Sequence, residues 1–357
     1  VAQIIFQFRG AKMMKFSIKV ISILLFATST AYAQTPAGAS IDLTGYSSTL
    51  VIDPSQPATW TSGELPWWGP YQLPPQPFTR SGMALSAGLP PNAAWNATVT
   101  RAFQSNNPAY HSPFWSGYYN EGEAYPNADT TLNLFNVDHR YAPISTTNAV
   151  IQLMARPISA AESATLPAQL SGRGYVSGAM NTYPHAQEYG YFETTAQVPS
   201  GPGFWSAFWM VPANMNPSCA AGVVCDTEID VMEILGTNSH VLHSTLHTSD
   251  VGSSSYPSLG ATLVAPNGDD LARGMHRYGV DWEPDFITFY LDGKAFYSAP
   301  TPADMHQPMY IIENLAVGTA NTWAGAPTSS THFPGVYSIE AIRAWASPNT
   351  VALTPTP

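Results

Sequence analysis

Glu228, Asp230 and Glu233 fall within six residues of one another, in a chain where only 10% of residues are charged. Between them stand Ile229, Val231 and Met232, which read as the core face of a strand. Strand side chains alternate with a period of two, so Glu228 and Asp230 share a face while Glu233 falls on the other. A bulge at Val231 and Met232, the two together occupying one pleat position, brings all three acids to one side. Four pleat positions of ~3.3 Å separate the glutamate Cα atoms by about 13 Å, and side chains leaning in by about 4 Å each leave the carboxyls about 5 Å apart. That gap suits a retaining glycosidase, in which one carboxylate attacks the anomeric carbon and the other protonates the leaving oxygen. An inverting pair needs more room for a water. Like charges this close are costly unless one carboxyl keeps its proton, and a retained proton is what a general acid requires. A solvated strand face or a calcium site is the alternative use of the same acids.

The elements that must position these residues read as strands. Segments rich in aromatic and β-branched residues recur between turn signals over 191–198, 204–211, 228–235, 241–248, 286–291, 294–298, 309–317 and 337–345, and helical periodicity is nowhere sustained. Asp292-Gly293, between two alternating segments, supplies the positive φ angles of a two-residue hairpin and so requires an antiparallel sheet. Residues 34–348 are expected to form a single all-β domain, with a loop-rich stretch over 34–113 that contains Trp60, Trp67 and Trp68, and residues 349–357 form a tail.

Composition narrows the partners. The 45% hydrophobic content suffices for a packed core. Four of the 13 cations (Arg9, Lys12, Lys15, Lys19) precede every acid, leaving nine against 24 acids in the remainder. Such a chain neutralises few phosphates, which argues against nucleic acid and against an anionic membrane surface. After the basic stretch come the apolar run 20–27 and Ala31-Tyr32-Ala33, the pattern of an export signal cleaved after Ala33. The run is shorter than the ~20 residues of a membrane span. Met13 or Met14 makes the more ordinary start, so residues 1–12 are read as upstream sequence and 1–33 as lying outside the fold. The protein is expected to be secreted or periplasmic. In an oxidising compartment Cys219 and Cys225 are expected to close a small disulfide loop, two free thiols being the alternative.

The acidic segment and its flanks resemble the catalytic strand of glycoside hydrolase family sixteen. The likeness extends through Glu188-Tyr189-Gly190-Tyr191-Phe192-Glu193 and 201–212 (Gly-Pro-Gly-Phe-Trp-Ser-Ala-Phe-Trp-Met-Val-Pro) before it. After it come His243-Ser244-Thr245-Leu246-His247, 276–282, Gln307-Pro308-Met309-Tyr310 and Asn314-Leu315-Ala316-Val317-Gly318. It is strong over about 175–345, with weaker echoes at 42–46 and 120–123. The resemblance implies a concanavalin-like jelly-roll sandwich of two antiparallel sheets with a concave substrate cleft. It implies Glu228 as nucleophile, Glu233 as general acid and then base, and Asp230 as the carboxyl that tunes the nucleophile. Two departures stand out: Thr319 follows Gly318 where the family often has a second glycine, and Val51-Ile52-Asp53-Pro54 replaces a commonly acidic stretch.

Tryptophan offers sugar rings a flat apolar face. The resemblance favours Trp205 and Trp323 for the cleft, Trp209 being divided between cleft and core, and adds Asn314 as a substrate contact. His247 is expected to hydrogen-bond beside the acids and His243 to be structural. No metal site is expected and no cofactor is required; a structural calcium is compatible with the family but assignable to no residues. The expected function is that of a monomeric retaining endo-β-glycanase acting on a β-linked polysaccharide. Within the family that the chain resembles, two residues between the counterparts of Asp230 and Glu233 are typical of laminarinase-like and galactanase-like members, and the resemblance thereby favours β-1,3-glucan over mixed-linkage glucan. An exopolysaccharide depolymerase, licheninase, galactanase, agarase or transglycosylase of the same family, or a lectin-like glycan-binding module, are the alternatives.

Overall fold

The computed structural model describes residues 34–53, 79–80, 83–84, 123–124, 135–138, 150–164, 172–182, 186–212, 227–248, 258–348 and 350. Among them the regular structure is mostly strand, with short 3-10 turns and one short α-helix, Ala160–Ser163, closed at its N-terminus by a reciprocal Ser159–Glu162 capping box. In chain order the first strands are β1 (Ser47–Ile52), β2 (Thr79–Arg80), β3 (Met83–Ala84), β4 (Glu123–Ala124), β5 (Phe135–Asp138) and β6 (Val150–Pro157). Next come β7 (Tyr175–Val176), β8 (Ala179–Asn181), β9 (Gly190–Gln197), β10 (Phe204–Pro212), β11 (Glu228–Leu235) and β12 (Val241–His247). The last are β13 (Ser258–Val264), β14 (His276–Trp282), β15 (Phe286–Leu291), β16 (Lys294–Pro300), β17 (Met309–Val317) and β18 (Gly335–Ala346).

Six strands form one sheet in the order β13-β12-β11-β10-β17-β8. Ten form a second, in the order β16-β15-β14-β9-β18-β6-β7-β4, with β1 against β18 and β5 against β6, while β2 and β3 pair with each other. The pairings within these sheets are antiparallel except for β4 with β7. The Asp292-Gly293 turn has the positive φ values its sequence demands, 50° and 75°, and sets Leu291 opposite Lys294.

Alternation decides which face is buried. In β12 the side chains of Leu242, Ser244 and Leu246 are inside, while His243, Thr245 and His247 lie on the opposite, partly exposed face. In β14, Tyr278, Val280 and Trp282 are buried, and these inner faces meet in one apolar core with Phe204, Phe208, Ile229, Met232, Phe289, Leu315, Tyr337 and Ile342. Each such side chain contributes roughly 1.5–3 kcal/mol when withdrawn from water. The outer face of the ten-stranded sheet carries a smaller cluster in which Tyr191, Tyr290 and Ala295 pack under Ile41, Leu43 and Tyr46. The 42–46 segment, one of the weaker family echoes, therefore lies on that sheet, and the Tyr46 hydroxyl reaches Asp281 Oδ1 at 2.8 Å and Glu283 Oε1 at 3.0 Å. Trp60, Trp67 and Trp68, both cysteines and residues 1–33 lie outside the described residues.

Candidate active site

β11 slips register where its sequence breaks period two. Against β10 it pairs Glu233 with Ala207 and Met232 with Phe208, then steps directly to Asp230 with Trp209. Against β12, Asp230 faces Thr245 and Glu233 faces His243, so Val231 and Met232 together oppose the single residue Ser244. This is a bulge, and it returns Glu233 to the face of Glu228 and Asp230. A bulge strips ladder partners from the backbone it displaces, and here the buried Ser244 hydroxyl donates to the Val231 carbonyl at 2.7 Å.

The register arranges the remaining candidates around the acids on that face. His247 stands opposite Glu228, and His243 opposite Glu233. On β10, Trp205 and Trp209 are the same-face neighbours of Ala207, which itself stands opposite Asn314 of β17. His247 Nε2 lies 3.0 Å from Asp230 Oδ2. The Trp205 indole N–H donates to Glu233 Oε1 at 3.0 Å, and the Trp209 N–H donates to Asn314 Oδ1 at 2.8 Å. Trp209 is only 6% exposed, so on that face its ring is covered by its neighbours, with its edge fixed by Asn314. Trp323 is 49% exposed and stands edge-on to Trp205, ring centroids 5.3 Å apart, and to His243 at 4.7 Å. The turn presenting it is braced by Thr322, whose hydroxyl accepts from the Thr319 N–H at 2.8 Å and donates to the Thr319 carbonyl at 3.1 Å. Thr319, the departure from a second glycine, thus belongs to the turn that positions Trp323.

Burial sets the electrostatics. Asp230 is 3% and Glu233 9% exposed. Removal from water pushes the Glu233 carboxyl well above its ordinary range and the charge of Asp230 pushes it further, while the Trp205 hydrogen bond pulls the other way. Burial also lowers His243, which favours its neutral form. A carboxylic acid kept protonated beside an ionisable carboxylate on one face has the makings of an acid/base pair. Glu228, Asp230 and His247 bring one ligand atom each within 4.8 Å of one another, close enough for a metal ion, and the same closeness serves hydrogen bonding among them.

Sequence reading missed two contributors at this face. Ser244 sits on the inner side and acts only through the bulge carbonyl. Thr262, on β13, lies 3.1 Å from His243 Nδ1 through its hydroxyl. Nothing in the sequence marks the second. Cys219 and Cys225, expected to stiffen a nearby loop, are outside the described residues.

A profile described as "Glycosyl hydrolases family 16" matches residues 135–340. The endo-1,3-1,4-beta-glycanase ExsH of Rhizobium meliloti (strain 1021) is 36% identical over 205 residues, covering 57% of this chain and 40% of that protein. This chain therefore spans about two fifths of that relative's length. The laminarinase catalytic domain of Thermotoga maritima MSB8 superposes with a TM-score of 0.52 at 26% identity, covering 64% of this chain and 84% of that one. An endo-beta-1,3-glucanase from Pyrococcus furiosus does so with a TM-score of 0.50 at 27% identity, covering 63% and 80%. The two packed sheets are accordingly the jelly-roll sandwich expected from sequence. The profile match takes in β9 through β17 and every acid of the site, and this chain belongs to glycosyl hydrolases family 16.

Proposed function

We propose that the protein is a secreted, retaining endo-β-glycanase that cuts internal bonds of β-1,3-glucan. The observation that carries this reading is the bulge in β11, which sets Glu228, Asp230 and Glu233 on one face with Glu233 biased toward its protonated form. In the first step a Glu228 oxygen attacks the anomeric carbon, the glycosidic C–O bond breaks, and Glu233 gives its proton to the departing oxygen. In the second, Glu233, now a carboxylate, takes a proton from water, the water oxygen attacks the same carbon, and the ester to Glu228 breaks. Asp230 lies between them with His247 3.0 Å away, an arrangement suited to holding its carboxylate in place. A sugar hydroxyl replacing the water in the second step gives transglycosylation instead.

Trp205 and Trp323 form an aromatic corner beside Glu233, suited to stacking against sugar. Asn314 reaches the same face, where the covered Trp209 ring holds its side-chain oxygen. The substrate assignment draws on the laminarinase and endo-beta-1,3-glucanase likenesses. The name of the ExsH relative, an endo-1,3-1,4-beta-glycanase, favours a second reading, cleavage of mixed 1,3-1,4 linkages. Incubation with laminarin, lichenan and agarose and an assay of new reducing ends separates them. Laminarin cleavage as the fastest reaction is expected; lichenan as the preferred substrate supports the second reading, and no cleavage of any β-glucan defeats both. The basic and apolar N-terminal stretches with Ala31-Tyr32-Ala33 support export, which predicts a mature chain beginning at Gln34. Mass spectrometry of the unreduced secreted protein tests that start and the Cys219–Cys225 bond together.

A further inference from the structure

We infer that Asp304 is a positioning residue that locks the ends of β11 and β12 and thereby fixes Glu228 and His247; the inference rests on the catalytic reading of Glu228 above. Glu228 opens β11 and stands opposite His247, which closes β12. The β10–β11 register stops at Met210 opposite Ile229, one residue short of Glu228. His247 is paired on both sides, with Glu228 and with Ser258 of β13, whereas Glu228 has a strand partner on one side only. A strand end with few ladder partners frays, so Glu228 needs support from elsewhere.

That support lies on the other side of the sheet. Thr227 precedes Glu228 and Thr248 follows His247, and alternation turns both side chains away from the acid-bearing face. Both threonines are buried. The Thr227 hydroxyl donates to Asp304 Oδ2 at 3.1 Å, and the Thr248 hydroxyl donates to Asp304 Oδ1 at 2.6 Å. One carboxylate therefore joins the two strand ends, one oxygen to each.

Asp304 is itself rigidly mounted. It lies on the crossover from β16 in the ten-stranded sheet to β17 in the six-stranded sheet, in a single 3-10 turn, Ala303–Met305. Met305 is fully buried in the core, and the Met305 N–H donates to the Pro302 carbonyl at 3.0 Å. Gln307 Nε2 donates to the Asp304 carbonyl at 3.0 Å, and His306 Nδ1 lies 2.7 Å from the Tyr189 hydroxyl. At the start of the crossover Thr301 is fastened to Glu283 and Asp285. The clamp thus refers the position of Glu228 to the core and the opposite sheet.

Displacement of a reacting group by about 1 Å costs up to ~10²-fold in rate. Thr248→Val and Thr227→Val remove each hydroxyl at nearly constant shape, while Thr248→Ser and Thr227→Ser keep it and lose only a methyl. On the β-glucan the enzyme cuts best, each Val variant is expected to lower kcat by about tenfold with KM little changed, and each Ser variant to stay near wild type. Asp304→Ala is expected to lower kcat further, and adding Thr248→Val to it to lower kcat no more. A packing role gives the opposite pattern, Ser harmful and Val harmless, and would overturn the clamp. Val variants with full kcat beside an inactive Glu228→Gln overturn the clamp alone. An active Glu228→Gln removes the catalytic reading on which it rests.

Discussion

Burial chiefly, and the charge of Asp230 secondarily, bias the Glu233 carboxyl toward its protonated form, opposed by one hydrogen bond from Trp205. Each influence gives a signed prediction for the basic limb of the kcat/KM profile, which falls as the general acid loses its proton. Asp230→Asn removes the repelling charge and is expected to move that limb to lower pH. Trp205→Phe removes the indole donor that favours the carboxylate and is expected to move it to higher pH. Glu233→Gln is expected to lower kcat/KM by roughly 10²–10⁴ and to abolish the limb altogether. A pH–rate series on the three variants checks all of this, and shifts of the same sign for Asp230→Asn and Trp205→Phe would contradict it. At this scale much was legible in sequence. Three acids so close in a charge-poor chain demanded an explanation, and the conflict with period two named the bulge residues. The Asp304 contacts were not legible, because Thr227 and Asp304 are 77 residues apart and only the crossover between sheets brings them together.

At the level of the strand, the bulge is a local fault that the fold must stabilise. The Val231 carbonyl is matched by Ser244, the one residue of β12 that faces both bulged positions. Ser244→Ala leaves that buried carbonyl unsatisfied and is expected to cost about 1–3 kcal/mol. It is also expected to lower kcat, because Glu233 depends on the bulge for its side of the sheet. Denaturant unfolding and steady-state kinetics on this variant check both effects, and an unchanged stability would show that the hydroxyl is not the bulge's support. Strands whose apolar alternation is strong were readable to the residue: β11, β15 and β17 have the bounds their sequences predict. β6 and β13 were not. β13 reads Ser-Leu-Gly-Ala-Thr-Leu-Val, and its small residues and half-buried leucines leave little signal because it is an edge strand with one face in solvent.

Across the whole molecule, the excess of acids makes stability depend on pH through the carboxyls that folding buries. Asp281 is one case outside the site, its carboxyl raised from 3.8 to about 7 by burial first, against the pull of the Tyr46 hydrogen bond and with a further push from the charge of Glu283. A carboxyl whose pKa rises on folding favours the native state fully only below its unfolded value, and that contribution is lost as pH climbs through the folded value. Stability from this group is therefore expected to fall between about pH 4 and pH 7. Asp281→Asn should flatten that part of the Tm–pH curve, and an unchanged curve would contradict a carboxyl raised on folding. The sandwich itself was foreseeable from recurrent β segments and the hairpin turn, whereas the packing of residues 34–46 on its outer face depends on contacts as distant as that of Tyr46 with Asp281. In the function proposed here, the two sheets hold one irregular strand so that two carboxyls flank a glycosidic bond. The most direct test of that claim is proton NMR of the anomeric signals during the first minutes of β-glucan cleavage, before mutarotation. The account predicts that the β-anomer of the new reducing end appears first, and initial release of the α-anomer would contradict it.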